Sequence, residues 1–215
     1  MRIRKKPWAK PELALCDYYI NHGKPLRGKW RGTLGDKIYL ELGCGKGAFM
    51  AQAVGAMPDA QWIAADIVDD MLAFTRRKAE ELAGGKPPNL TLLKLNIEHI
   101  SDVFAPNEID RIYINFPPPW KRHSEYKHRL THPRQLVQYR EILVTGGEIH
   151  FKTDDDTLFN DSIVYLVDSG FEVTKIIPDL YKTNEPNLVT EHEKMYFEQG
   201  KKIKFCCAKK AGMSL

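Results

Sequence analysis

What this chain lacks already narrows its biology. No apolar run approaches the ~18 residues needed to cross a bilayer. The N-terminus is basic but has no apolar core behind it, so no secretory signal is expected. Cysteine is scarce: Cys16, Cys44, Cys206 and Cys207 are the only four in 215 residues. They form no C-x-x-C pair and have no matching histidine spacing. Neither a disulfide framework nor a structural zinc is therefore expected, and the chain reads as a cytoplasmic protein without a metal. There is no internal repeat and no low-complexity tract. At 215 residues, with 43% hydrophobic and 28% charged residues, the length suits one substantial α/β domain rather than two.

The formal net charge of +4 hides an asymmetry. Residues 1–31 hold nine Lys and Arg against only Glu12 and Asp17, a net +7, so the remainder nets −3. The expected organisation is a basic N-terminal arm (1–31) on a mildly acidic domain (32–215). Such arms bind phosphate backbones. Trp8 and Trp30 stand among these cations, which favours nucleic acid over a purely solvated tail.

Hydrophobic periodicity then alternates between strand and helix. Strands are expected at Ile38–Leu42, Gln61–Asp66, Leu90–Leu95, Arg111–Asn115 and Glu148–Thr153. Helices are expected at Ala48–Met57, Val68–Ala83, Gln135–Leu143 and Thr157–Ser169. Glu172–Ile177 and Lys202–Ala208 read as a final antiparallel pair at one edge. The fold class is α/β, a doubly wound and mostly parallel sheet.

Glu41-Leu42-Gly43-Cys44-Gly45-Lys46-Gly47 follows the first strand and leads into a helix. The small residues let backbone approach a ligand, and Asp66 at the next strand end can grip a ribose diol. The spacing is G-x-G-x-G, without the later glycine that seats a helix under a pyrophosphate. A dinucleotide dehydrogenase is thereby set aside, and S-adenosylmethionine (SAM) is the expected cofactor. Ligands of such sheets bind beyond the carboxyl ends of the strands. Those ends deliver Glu41, Asp66, Asn96 with Glu98, Asn115 and Asp154. Carboxylates and amides there suit the amine, hydroxyls and ammonium of SAM.

Asn115-Phe116-Pro117-Pro118-Pro119-Trp120 leaves the fourth strand at the same rim. Three prolines stiffen it. Phe116 and Trp120 offer faces for a base, while Lys121, Arg122, Lys127 and Arg129 offer cations for phosphates. His123 and His128 are weaker candidates. After the fifth strand, Asp155 or Asp156 can cap the next helix, leaving Asp154 to face substrate. Thr190-Glu191-His192-Glu193 reads as a capping box, which is compatible with a substrate role.

Taken together, these motifs resemble the bacterial tRNA (guanine-N7-)-methyltransferases, class I SAM-dependent enzymes. The resemblance runs from Met1–Ala9 and Gly28-Lys29-Trp30 through Glu41–Gly47, Asn115-Phe116, Pro119-Trp120 and Lys121-Arg122-His123. Arg129-Leu130-Thr131, His150–Asp154 and Thr190–Glu193 complete it. It implies methylation of guanosine N7 in the variable loop of tRNA by a monomer or homodimer. It places SAM on Glu41, Asp66 and Asn96–Glu98, beside Gly43, Gly45 and Asn115. It places substrate on Lys121 or Arg122, Asp154, Thr190, Glu191 and Glu193.

One departure matters. The family's acidic residue beside the methyl donor falls on Pro118 here, and the proline after the Trp is absent. Asp154 is the candidate to take over the carboxylate's role. Two other readings stay open. Pro117-Pro118-Pro119-Trp120 looks like the N-P-P-Y/W loop of exocyclic-amine methyltransferases, and loss of the carboxylate also suits a non-catalytic tRNA-binding homologue.

Overall fold

The computed structural model describes residues 6–212. Its centre is one eight-stranded sheet: β1 (Tyr19–Ile20), β2 (Ile38–Leu42), β3 (Gln61–Asp66), β4 (Leu90–Lys94), β5 (Ile109–Asn115), β6 (Leu143–Thr153), β7 (Phe171–Ile177) and β8 (Lys204–Lys210). The spatial order is β1-β4-β3-β2-β5-β6-β8-β7. The first six are parallel, and β8 inserts antiparallel between β6 and β7. This is the doubly wound sheet with an antiparallel edge that the periodicity predicts.

The helices are α1 (Ala9–Ala14), α2 (Trp30–Leu34), α3 (Ala48–Ala56), α4 (Asp69–Ala83), α5 (Ile100–Val103), α6 (Pro133–Ile142), α7 (Asp156–Asp168) and α8 (Glu191–Glu198). They cover both faces, and the strand alternation decides which residue meets which layer. In β3, Trp62 and Ala64 join Leu13, Met50 and Leu72 of α1, α3 and α4. Ile63 and Ala65 point the other way, into a core with Trp30, Leu136, Tyr139 and Leu158. Burial of side chains this size contributes roughly 1.5–3 kcal/mol each. β6 is longer than expected because pairing continues through Gly146-Gly147, with a register break against β5.

Gly47 shows why the motif needs its last glycine. Its φ is 80°, and a Cβ there would lie 2.5 Å from the Thr75 Cα of α4. Any side chain would force α3 and α4 apart at the point where the turn enters α3.

The basic segment departs from the expectation of an arm with free aromatics. Trp30 is fully buried, donating from Nε1 to the Val103 carbonyl at 2.8 Å. Trp8 packs edge-on against Phe74 at 5.2 Å, with the Arg77 guanidinium 3.6 Å above its ring. Neither ring is presented for stacking on a base. Residues 6–31 supply α1, the edge strand β1 and the start of α2, so position 31 lies inside an element rather than between two. Of their cationic side chains, Lys10, Lys24, Arg27 and Lys29 are exposed, whereas Arg31 is half-buried and paired with Asp110 at 2.8 Å. Residues 1–5, which carry the rest of that segment's charge, lie outside the described residues.

Candidate cofactor and substrate site

The carboxyl ends of the parallel strands open into a cleft of about 830 Å³. Gly43, Gly45, Asp66, Asn96, Glu98, Lys121 and Asp154 all line it. Asp66 ends β3 and is held there by backbone donors: Gly45 N–H to Oδ2 at 3.2 Å and Val68 N–H to Oδ1 at 2.9 Å. Burial raises the Asp66 pKa, and those same N–H groups pull against it. Asn96 caps the turn after β4, its Oδ1 accepting from Glu98 N–H at 3.1 Å, which leaves the Glu98 carboxylate exposed.

Glu41 and Asn115 sit behind this lip rather than on it. Asn115 Nδ2 donates to Glu41 Oε1 at 2.9 Å. The other oxygens, Glu41 Oε2 and Asn115 Oδ1, are buried without a hydrogen-bond partner. Burial pushes the Glu41 carboxyl up to about 8. An unpartnered acidic oxygen two residues before Gly43 is costly unless a ligand's donor completes it. The amino-acid tail of SAM carries such a donor, so these residues fit that cofactor.

Across the cleft, Phe116 and Trp120 have φ values of 50° and 44° on either side of the three prolines. Such left-handed backbone at non-glycine residues costs about 1–3 kcal/mol each and is tolerated where surrounding structure imposes it. Arg129 braces the loop at Pro119. Expected to meet phosphate, it is instead 1% exposed, donating from Nε to the Pro119 carbonyl at 2.8 Å and from Nη1 to Asp161 at 2.6 Å. Its planar fork clamps the proline loop to α7. Phe116, half-buried, lines the cleft and packs against Tyr196 at 5.8 Å. Trp120 stays 38% exposed on the cleft wall, next to His128. Lys121 lines the cleft, whereas Arg122 is exposed and outside its lining.

The three aspartates after β6 divide their work. Asp155 caps α7, accepting from Leu158 N–H at 2.8 Å. Asp156 pairs with Lys204 at 2.9 Å. Asp154 faces the cleft, where its Oδ2 is met by Lys201 Nζ at 2.8 Å.

The Thr190–Glu193 segment forms the capping box of α8. Thr190 and Glu193 are both buried, and Glu193 Oε2 receives Lys152 Nζ at 2.8 Å. Lys152 also donates to Asn187 Oδ1 and the Leu188 carbonyl, fastening the loop before α8 to β6. Glu191 is paired with Lys78 of α4. None of these three lines the cleft. The α8 side chains that do are His192 and Tyr196, joined by Lys201, which the sequence reading did not single out. Their i, i+4 spacing on a capped helix was the available signal.

A family described as "Putative methyltransferase" matches residues 35–206. A tRNA (guanine-N(7)-)-methyltransferase of Clostridium perfringens (strain SM101 / Type A) is 48% identical, spanning 98% of this chain and 100% of its own. The enzyme of that name from Acetivibrio thermocellus is 44% identical over 98% of this chain and 100% of its own. Among solved structures, an antibiotic-related methyltransferase superposes with a TM-score of 0.62 at 19% identity, covering 88% of this chain and 94% of its own. A 16S rRNA (adenine(1408)-N(1))-methyltransferase with cosubstrate SAM gives 0.61 at 14% identity, covering 87% and 92%. These two speak for the fold alone. With near-complete coverage by close relatives, the chain belongs to the tRNA (guanine-N(7)-)-methyltransferase family and is a SAM-dependent methyltransferase.

Proposed function

We propose that the protein methylates N7 of a guanosine in the variable loop of tRNA, with the strand-end cleft as the place of transfer. Bound SAM supplies an electrophilic methyl group on a sulfonium. Guanine N7 has an in-plane lone pair and no proton to lose, so the protein's tasks are alignment and charge stabilisation. Orientation of two reactants is worth roughly 7–11 kcal/mol of barrier.

The observation that carries this reading is the gathering of Gly43, Gly45, Asp66, Asn96 and Asp154 on one cleft. Asp66 and the Asn96–Glu98 turn hold the adenosine, and Glu41 with Asn115 completes the ammonium of the tail. Asp154 stabilises the positive charge that passes to guanine, the role vacated at Pro118. Its contact with Lys201 keeps it aimed into the cleft. Lys121 and Arg122 hold phosphate, with the exposed cations of the 1–31 segment extending the contact to tRNA. Thr190, Glu191 and Glu193 serve substrate by fixing α8, whose His192 and Tyr196 form the wall.

Incubation with methyl-labelled SAM and unmodified tRNA, followed by mass spectrometry of the nucleosides, tests this. The expected product is 7-methylguanosine. Label on an exocyclic amine would favour the related loop chemistry. Retained tRNA binding without label would favour the non-catalytic homologue, the reading that Pro118 itself supports.

A further inference from the structure

A second pocket, of about 350 Å³, lies between α3 and the loop before α8, with Arg111, Tyr113 and His150 on its wall. Beside it the antiparallel register sets Cys207 of β8 directly opposite His150 of β6. Glu148, two residues earlier on β6, projects from the same face. One ligand atom from each of Glu148, His150 and Cys207 lies within 4.8 Å of the others. We infer that Glu148, His150 and Cys207 form a binding site for a thiophilic divalent cation of the zinc class, separate from the methyl-transfer cleft.

The donor set decides the class of ion. An imidazole, a thiolate and a carboxylate make the mixed N, S and O shell that zinc accepts, whereas magnesium and calcium prefer oxygen alone. The thiol proton leaves to solvent on binding, so thiolate and carboxylate supply two negative charges, the carboxylate's shared with Arg111. His150 Nε2 already lies 3.0 Å from Glu148 Oε2. Arg111 Nη2 meets that same oxygen at 2.7 Å, so both contacts fall on one side of the carboxylate. Arg111 is itself steadied 4.9 Å over the Tyr39 ring, an outer partner that orients a ligand. The nearby Lys175 is engaged by Glu185 at 2.6 Å. The Glu148 side chain is 30% exposed, giving an ion a path from solvent, and three protein ligands leave a fourth position for water.

Spacing along the sequence gave no hint of this site. Cys207 meets Glu148 and His150 only because β8 pairs antiparallel with β6. A bound ion would clamp those two strands.

Metal-free protein titrated with Co²⁺ and then Zn²⁺ tests the inference. One equivalent of Co²⁺ is expected to give a thiolate-to-cobalt charge-transfer band with tetrahedral d–d bands, displaced by Zn²⁺, and Zn²⁺ is expected to raise the melting temperature. Cys207→Ala should abolish the charge-transfer band, and His150→Ala or Glu148→Gln should weaken Co²⁺ binding at least tenfold. Cys206→Ala should keep the band, because Cys206 points into the opposite, apolar core. Far-ultraviolet circular dichroism and a cooperative thermal melt report that each variant is folded, independently of any ligand. The inference is overturned if folded wild-type protein gives no band, or if folded Cys207→Ala gives the wild-type band.

Discussion

Replacing Glu41 by Gln isolates the most consequential charge in the site. Without ligand, Glu41 is buried, one of its oxygens has no partner, and its carboxyl titrates at about 8 rather than at the ordinary 4.5. The folded protein therefore holds a proton that the unfolded chain gives up throughout that interval. Where the folded state binds more protons, stability falls as pH rises. At 1.36 kcal/mol per pH unit, the Glu41 contribution declines by about 4 kcal/mol from pH 5 to pH 8. The Glu41→Gln side chain keeps the hydrogen bond to Asn115 in reach and has no charge to desolvate. Urea unfolding of both proteins at pH 5, 6, 7 and 8 reads the difference directly, since every other titrating group cancels. The stability gap, mutant minus wild type, should widen steadily in favour of Glu41→Gln and level off above pH 8. Parallel curves, with a gap independent of pH, would refute the assignment of a neutral buried acid.

Asp154→Ala should lower turnover by about 10²–10³-fold with SAM affinity unchanged, as removal of a preorganised electrostatic group does; unchanged turnover in a single-turnover assay would remove Asp154 from the chemistry. Pro118→Asp restores the family's carboxylate on the cleft wall and should raise turnover in the same assay, and it should rescue part of the loss in the Asp154→Ala background. Glu193→Gln leaves the Lys152 ammonium buried and unpaired, so it should cost about 3–5 kcal/mol in chemical denaturation. A cost below about 1 kcal/mol, the range of an exposed pair, would show that the contact does not fasten α8.

How much of this was legible in sequence follows from how local each signal is. β2 and β3 have the bounds that their apolar runs predict, and α4 begins one residue later than expected because Val68 is its N-cap. The G-x-G-x-G turn and the polar strand ends were legible for the same reason: strand direction alone sends them to one rim. β1 is only Tyr19–Ile20, too short for any period, and the tertiary pairing with β4 makes it a strand. Trp8 and Trp30 looked free because nothing in their neighbours along the chain shows Phe74 or Val103 waiting to cover them. Arg129 looked like a phosphate ligand because its partners, the Pro119 carbonyl and Asp161, are supplied by other elements. Glu193 was legible as a cap, but its burial against Lys152 depends on β6 lying beneath α8.

Everything proposed for the chemistry requires that the acidic lip at the strand ends holds SAM. Isothermal titration of the full chain with S-adenosylhomocysteine, alongside an Asp66→Ala variant, measures that binding. The predicted result is one site per chain, weakened at least tenfold in the variant, in line with the loss of a charge-assisted hydrogen bond. No heat with wild-type protein, or identical affinity in the variant, would contradict it.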